Sequence, residues 1–456
     1  RRELPLWNPY LCAGVPFLAA GQHSAMYPFS VIFYVFPLTY AYGLFTALHF
    51  ALASWGAYLL ARVLGASRCG GLVAGIAHAF SAFYVVSVTF TMVIAAAAWL
   101  PFLLAILEVL VRKQEQKGLH LYSPVPYVAA GALLLGLEVM AGHVEMTYYT
   151  LMVAGFYALG RLLIFWRRTR WGWGAIRLGL WILILVALGL ALGGVQLVPM
   201  YELVSQSFRQ ESASYQEVVG WAYPTRQILT FLIPNFFGNP SHHAYIDPFC
   251  LCWREVTHDF HGNPQHTLFW GIKNYVEAGS YVGILPLVLV GAGLVWCVWT
   301  RQKKVSPLAI FGVLAALALA FTFGTPLYAI LYYGLPGYKQ LHSPFRWVFP
   351  YTLSMAILAG WSATTLGERF RQTETPRVDR LWRVLAALCL TAGIGGLLAL
   401  AGVLRWPGPF LHLSERVLLT SDLAQSAFAS AQAFLAYQWG NLAWFFAALA
   451  GSGLVL

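Results

Sequence analysis

Apolar runs of about twenty residues, the length that crosses a bilayer as a helix, follow one another along most of the chain. Short polar segments separate them. Read from the first residue, they predict eleven membrane-spanning helices, at 41–65, 71–88, 93–111, 125–141, 145–165, 174–200, 279–300, 307–324, 346–366, 383–404 and 437–456. The tight pairs around Thr89 and Gly142 are also compatible with re-entrant hairpins.

Composition agrees with the pattern. Of the 456 residues, 59% are hydrophobic and only 10% are charged, whereas soluble domains carry roughly 25% charged residues. The mean hydropathy is +0.66. These values predict an all-α polytopic membrane protein. The net charge of +11 does not indicate a nucleic-acid partner, because the basic residues lie in short loops between the spans.

Lysine and arginine concentrate on alternate loops, and this predicts the orientation. The basic loops contain Arg68; Arg112, Lys113 and Lys117; Arg167, Arg168 and Arg170; Arg301, Lys303 and Lys304; and Arg369, Arg371, Arg377, Arg380 and Arg383. All five fall on one side of the predicted membrane, which the positive-inside rule makes cytoplasmic. The long connections 1–40, 201–278, 325–345 and 405–436 are then external, and function is expected among them.

The predicted organisation follows from these sides. Residues 1–40 form part of a first external loop with interfacial helices, because prolines and aromatic residues there suit a membrane surface rather than a span. Transmembrane helices occupy 41–200, an external subdomain 201–278, and further transmembrane helices 279–456, with external loops at 325–345 and 405–436. The chain begins at Arg1 on the outer side and ends within an apolar run. We therefore expect truncation at both ends and one more span upstream, about twelve in all.

Six segments in order carry a resemblance to a family. They are PLWNPYLCAGVPF at 5–17, AGHVEMTYY at 141–149, QLVPMYELVSQSFR at 196–209, IPNFFGNP at 233–240, EAGSYVGILPL at 277–287 and GTPLYAILYYGLPGYKQLHSPFRW at 324–347. In this order they resemble the bacterial YfhO-like membrane proteins, which belong by resemblance to the GT-C class of glycosyltransferases.

The resemblance implies a GT-C-like helical bundle in the bacterial cytoplasmic membrane. It also implies transfer of a sugar from a polyprenyl-phosphate donor to an acceptor on the outer face. In such enzymes an acidic residue of the first external loop acts as general base or metal ligand. Here that residue is expected before Arg1. Membrane lipids and the lipid-linked donor are the implied partners, other membrane proteins are possible partners, and a divalent metal is a possible cofactor.

The predicted outer end of the turn around Gly142 offers candidates for the chemistry. His143 and Glu145 lie there, and Glu138 precedes them by about one and a half helical turns. Ionisable groups near membrane depth are costly and indicate function by default. The alternative is a hydrogen-bonded pair that only fixes the helix hairpin.

Candidates for binding the donor phosphate come from the basic residues of the external segments. Arg346 stands where a long external loop re-enters the membrane, and a guanidinium binds phosphate bidentately. The alternative is an anchor beside Trp347. Arg209 and Lys339 offer the same kind of chemistry, and Trp7 and Asn8 in the first loop complete the predicted substrate-binding set.

The external segment 201–278 is rich in histidine but predicts no metal site. His258, Asp259 and His261 follow no closed four-ligand spacing, so a solvated, aromatic-rich subdomain is favoured. Among the cysteines, Cys250 and Cys252 stand too close for an easy bridge, so Cys12 pairing with one of them is the alternative considered.

No phosphate-loop or dinucleotide-binding motif is present, so we expect no nucleotide cofactor. Two other functions stay open. One is a lipid or solute transporter or flippase, although no clear internal repeat is visible. The other is a non-catalytic accessory subunit of a larger membrane complex. Gln196 and Glu202 flank Pro199 at the predicted outer end of a span. A helix break at Pro199 would create a polar pocket there, whereas a plain proline kink would not.

Overall fold

A computed structural model of the chain describes residues 6–117, 123–170, 172–207, 213–299, 307–341, 343–369 and 376–456. Arg209 therefore lies outside the described residues. The α-helices are α1 Phe17–Ala20, α2 Ile32–Val35, α3 Leu38–Val63, α4 Arg68–Ala79, α5 Ala82–Val86, α6 Thr91–Ala97, α7 Leu100–Lys117, α8 Val125–Met140, α9 Val144–Thr169, α10 Gly172–Leu192, α11 Gly194–Ser205, α12 Tyr215–Gly220, α13 Ile284–Trp299, α14 Pro307–Thr322, α15 Tyr328–Gly334, α16 Val348–Arg369, α17 Pro376–Arg405, α18 Gly408–Thr420, α19 Asp422–Gln425 and α20 Ala431–Val455.

Three two-stranded antiparallel ladders accompany the helices in the described part of the chain. Their strands are β1 Trp7–Asn8 with β2 Val15–Pro16, β3 Gly238–Asn239 with β6 Leu268–Phe269, and β4 Ala244–Asp247 with β5 Cys252–Glu255. Short 3₁₀ helices occupy Pro28–Val31, Ser87–Thr89, Thr225–Phe231, Tyr338–Gln340 and Pro344–Trp347.

The prediction of an all-α polytopic membrane protein is confirmed. Six helical stretches within the described residues are long and apolar enough to cross a membrane, and three shorter apolar helices accompany them. The six are Leu38–Val63, Arg68–Thr89, Thr91–Gln116, Val144–Thr169, Gly172–Leu192 and Trp382–Arg405. Each of the eleven predicted spans overlaps a helix.

The chain divides into two compact units. One contains 1–80, 84–222 and 297–365, and the other contains 81–83, 223–296 and 366–456. The segment 279–456, which the sequence groups together, thus contributes to both units. In the first unit, glycines let helices approach closely, as small residues do in membranes. A Cβ at Gly75 would stand 2.7 Å from the Ser54 carbonyl oxygen, and one at Gly131 would stand 2.3 Å from Leu185 Cδ1.

The predicted span 174–200 is two helices. α10 ends at Leu192 and α11 begins at Gly194. The break is at Gly193, where a Cβ would stand 2.5 Å from Val139 Cγ1 of α8, so only glycine fits. Pro199 lies inside α11 and does not itself break the helix.

A fully buried ion pair joins α7 to α9 in the first unit. Arg161 donates its Nε–H to Glu108 at 2.6 Å, and both side chains are at most 1% exposed. Glu108 also accepts hydrogen bonds from Arg112 Nε at 2.6 Å and from the Tyr157 hydroxyl at 2.7 Å. Three donors therefore converge on one buried carboxylate, which offsets the cost of removing it from water.

The second unit combines a helix pair with the folded 223–278 segment. α17 and α20 pack closely, since a Cβ at Gly393 would stand 2.5 Å from the Ala450 backbone nitrogen. An aromatic cluster packs the β3–β6 and β4–β5 ladders against α18–α20, with Phe237, Trp270, Phe428 and Phe434 buried within it. The 223–278 segment therefore shares its core with α18–α20.

The alternative pairing of Cys12 with Cys250 or Cys252 is wrong. Cys250 and Cys252 form a disulfide with each other, with their Cα atoms 5.3 Å apart, and Cys12 is free. Between them Leu251 adopts a left-handed φ of 51° at the end of the β4–β5 hairpin. This turn brings the two cysteines together although a single residue separates them. The spacing of the cysteines in the sequence does not indicate such a turn.

Candidate functional site

The site is built on the turn Ala141–His143 between α8 and α9, within the first unit. Gly142 has a φ of +89°, and a Cβ there would stand 2.2 Å from the Gly21 carbonyl oxygen. The position therefore requires glycine for both conformation and space. His143 is the N-cap of α9, and its Nδ1 accepts a hydrogen bond from the Met146 backbone N–H at 3.3 Å. This cap fixes where α9 begins.

The first loop lies directly on this turn. α1 is followed by Gly21, which has a φ of +75°. The Ser24 hydroxyl donates to the Ala141 carbonyl at 2.6 Å, and Gln196 Nε2 of α11 donates to the Leu18 carbonyl at 2.9 Å. Both side chains are buried. The loop is thus held by the turn between α8 and α9 and by α11 together.

The first two turns of α9 hold a third segment, the chain before α16. The Tyr148 hydroxyl donates to the Pro336 carbonyl at 2.7 Å, and the Tyr149 hydroxyl donates to the Ser343 carbonyl at 2.8 Å. The Tyr149 ring meets Trp347 edge-on with centroids 5.5 Å apart. Trp347 in turn donates its Nε1–H to the Tyr338 hydroxyl at 2.9 Å. Segments distant in sequence therefore meet at the start of α9.

A cavity of about 610 Å³ lies where these segments meet, and we call it the α9 cleft. Its described lining is Ala19, Ala20, Gln22, Gly142, His143, Val144, Glu145, Met200, Leu203, Val204, Ser207, Gln340, Leu341 and Ser343. Glu145 supplies the one carboxylate among these residues. The volume is in the range of small-molecule sites.

Glu145 and Arg346 form an ion pair at the cleft. Arg346 Nε stands 3.7 Å from Glu145 Oε2, and each side chain is about one-fifth exposed, 20% and 21%. The other carboxylate oxygen, Glu145 Oε1, is buried and accepts no hydrogen bond from the described residues. The pair is loose and half satisfied, so both groups retain capacity for a further partner.

The neighbouring titratable groups are held neutral. Burial, together with the nearby Arg346 charge, lowers the pKa of His143 to about 3, although a backbone hydrogen bond acts in the opposite direction. Burial raises the pKa of Tyr338 to about 12, and burial also raises the pKa of Tyr328. At neutral pH the imidazole is therefore uncharged, and the Glu145–Arg346 pair sets the local field.

The structure brings His143, Glu145 and Arg346 together, and among the described residues it leaves the other candidates, Glu138, Lys339, Trp7 and Asn8, out of the cleft lining. Glu138 is fully buried in α8, away from the described cleft lining. Lys339 is exposed, with its Nζ 5.6 Å from the centre of the Tyr332 ring. Trp7 is 57% exposed on the β1–β2 hairpin. The Asn8 side chain accepts a hydrogen bond from the Tyr10 backbone N–H at 3.0 Å.

Four polar residues of the cleft wall are not among the candidates predicted from the sequence. Gln22, Ser207, Gln340 and Ser343 line it. Three of them stand inside or beside the motifs that carry the family resemblance, which was the available signal. Their side chains supply hydrogen-bond donors and acceptors of the kind that hydroxyl-rich ligands use.

A metal does not fit the described residues of the cleft. Within the part of the chain that the structure describes, no group of three or more His, Cys, Asp or Glu side chains is placed to hold a metal ion. The cleft offers one carboxylate, already paired with Arg346, and an imidazole whose Nδ1 caps α9.

Fold and site together define a polytopic α-helical membrane protein with a polar cleft at one end of α9. No family profile and no curated protein matches the chain. Two crystal structures of ArnT from Cupriavidus metallidurans are similar to it, one bound to undecaprenyl phosphate and one in the apo state. They are 16% and 14% identical, with TM-scores of 0.38 and 0.40, over 96% of this chain and 68% of theirs. Similarity at this level assigns no activity and no residue role.

Proposed function

We propose that the protein is an integral membrane glycosyltransferase of the GT-C class. It takes a sugar from a polyprenyl-phosphate donor and transfers it to an acceptor on the outer face of a bacterial cytoplasmic membrane. The observation that carries the proposal is the α9 cleft with its Glu145–Arg346 pair. The order of sequence motifs supports the same class, and three of those motifs contribute lining residues to the cleft.

The pair has the two functions that the transfer requires. An acceptor hydroxyl must lose a proton as its oxygen bonds to the anomeric carbon of the sugar, and a carboxylate is a suitable base. The bond between that carbon and the phosphate oxygen breaks, and the departing phosphate needs positive charge. In the proposal Glu145 takes the proton, and Arg346 stabilises the phosphate.

His143 has a different role in the proposal. An imidazole with a pKa near 3 is a weak base at neutral pH. Its Nδ1 already caps α9, so we assign it as a positioning residue for Glu145, two positions along the chain. Glu138 is set aside because it is fully buried and is not among the described lining residues of the cleft.

The size and polarity of the cleft suit the donor headgroup. A volume of about 610 Å³ accommodates a monosaccharide with its phosphate. Gln22 and Gln340 offer hydrogen bonds to sugar hydroxyls, while Met200 and Leu203 offer an apolar wall for the first isoprene units. The ligand class and the wall are therefore matched in both polarity and size.

The experiment is a transfer assay. Purified protein in detergent is incubated with radiolabelled polyprenyl-phosphate sugars and an external glycan fraction. Wild type is expected to transfer label, Glu145→Gln to lose 10²–10⁴-fold in rate, and Arg346→Gln about 10²–10³-fold. Arg346→Lys should recover part of the loss, because charge returns without the bidentate geometry.

Two matched variants test the placement of the site. Glu202→Gln removes an exposed carboxylate of α11, and Lys339→Gln removes an exposed cation, neither of which lines the cleft. Both are expected to keep wild-type rates. Donor movement across vesicles without transfer would instead indicate a flippase. Absence of transfer together with a stoichiometric protein covering the cleft would indicate an accessory subunit.

A further inference from the structure

A second cavity lies at the other end of α9, between α9 and α14. It measures about 970 Å³, and we call it the α9–α14 groove. Its wall is apolar, with Phe156, Leu159, Leu163 and Val313 among its residues, and Arg167 and Arg168 stand at one end. The groove therefore combines an apolar channel with a cationic end.

The apolar wall faces outward from the helices. Leu159 is 70% exposed and Val313 is 52% exposed. In a membrane protein such side chains meet lipid chains rather than water. At Gly160 a Cβ would stand 2.9 Å from Ile310 Cδ1, so α9 and α14 approach closely there. A narrow, concave apolar surface of this kind suits a single acyl chain.

The cationic end is separate from the α9 cleft. Arg167 and Arg168 lie in the last turn of α9, and Glu145 lies in its first turn. A helical rise of 1.5 Å per residue puts these two ends about 33 Å apart. Among the described residues, no carboxylate forms an ion pair with Arg167 within 4.0 Å. The charge of Arg167 is thus open to an anion, with Arg168 beside it in the same helical turn.

We propose that the α9–α14 groove binds an anionic phospholipid. One acyl chain lies along the apolar wall, and the phosphodiester is held by Arg167 and Arg168. Basic pockets between transmembrane helices recognise anionic headgroups in this way, and guanidinium groups suit phosphate oxygens. The donor phosphate of the proposed transfer belongs to the opposite end of α9. The inference therefore does not depend on the proposed function.

The test is native mass spectrometry of the delipidated protein in detergent with added phosphatidylglycerol or phosphatidylcholine. We expect phosphatidylglycerol to bind more tightly. The Arg167→Gln/Arg168→Gln variant should bind it about 30-fold more weakly. Each arginine near a membrane surface strengthens anionic-lipid binding by roughly five- to sixfold, and the two factors multiply. Arg177→Gln removes an exposed arginine of α10 that does not line the groove, and it should bind normally.

A steric variant makes the test independent of charge. Val313→Trp fills the groove and should weaken phosphatidylglycerol binding, whereas Leu180→Trp, on the exposed side of α10, should not. Equal binding of the two lipids would overturn the proposal. So would unchanged binding by the double arginine variant or by Val313→Trp. Tighter retention of polyprenyl phosphate than of phosphatidylglycerol, or a change of oligomeric mass in Val313→Trp, would assign the groove to another occupant.

Discussion

Replacement of Gly142 by alanine is expected to release the first loop from the turn between α8 and α9. The change has two costs. A non-glycine residue at a φ of +89° costs about 1–2 kcal/mol. The new Cβ would also stand 2.2 Å from the Gly21 carbonyl oxygen, which is backbone and cannot rotate away. The loop must move, and the Ser24–Ala141 hydrogen bond, worth about 1 kcal/mol, is then lost.

The backbone strain at position 142 and the lost Ser24–Ala141 hydrogen bond sum to about 2–3 kcal/mol in favour of local opening of the loop. This is a factor of about 30–150 in the opening equilibrium. Hydrogen exchange measured by mass spectrometry reads this directly. The Ser24 amide bonds to the Gly21 carbonyl at 2.9 Å and the Tyr27 amide to the Ser24 carbonyl at 3.0 Å. Their exchange should accelerate by that factor in Gly142→Ala.

Two other glycines separate the causes. Gly65 has a φ of +102° and open space around its Cβ position, so Gly65→Ala tests backbone strain alone. Gly155 lies inside α9 with nothing within 4 Å of its Cβ position, so Gly155→Ala should be neutral or slightly stabilising. Neither should change exchange of residues 17–30. Wild-type exchange in Gly142→Ala, or equal acceleration by Gly65→Ala, would refute the reasoning.

Two further predictions concern charge. The folded pKa of His143, about 3, lies below the ordinary 6.5, so its neutral form contributes stability above pH 6.5 that is lost as pH falls toward 3. In thermal unfolding between pH 7.5 and 5, wild type should lose stability relative to His143→Asn by at most about 1.4 kcal/mol per pH unit, and parallel curves would contradict this. Arg161→Met should cost about 3–5 kcal/mol because Glu108 loses a buried partner, and more than Arg112→Met, whose arginine is 36% exposed; equal losses would contradict this.

The sequence predicts the helices well because burial in lipid imposes one strong rule, a long apolar run for each span. All eleven predicted spans overlap helices. The break within the predicted span 174–200 does not follow from this rule. The sequence leaves either a break or a plain kink open at Pro199, yet the break occurs at Gly193, where α8 approaches too closely for a side chain. A contact between two helices decided it, and such a contact is not written in either helix alone.

The candidate site was predicted in part. His143, Glu145 and Arg346 were named from their positions at predicted membrane edges, and the structure brings them together. What the sequence could not supply was their mutual distance, which depends on Tyr148 and Tyr149 binding the chain before α16. Glu138 illustrates the reverse case. It is close to His143 along the chain, but its place in α8 turns it into the protein interior.

Photo-crosslinking with a polyprenyl phosphate that carries a photoreactive group next to its phosphate would locate the donor site. We predict that mass spectrometry finds the label on peptides lining the α9 cleft, from 17–24, 141–145, 200–207 and 340–343. Arg346→Gln should reduce the labelling, and excess unlabelled polyprenyl phosphate should abolish it. Labelling confined to other parts of the chain, or labelling unaffected by Arg346→Gln, would contradict the assignment of the donor site to the α9 cleft.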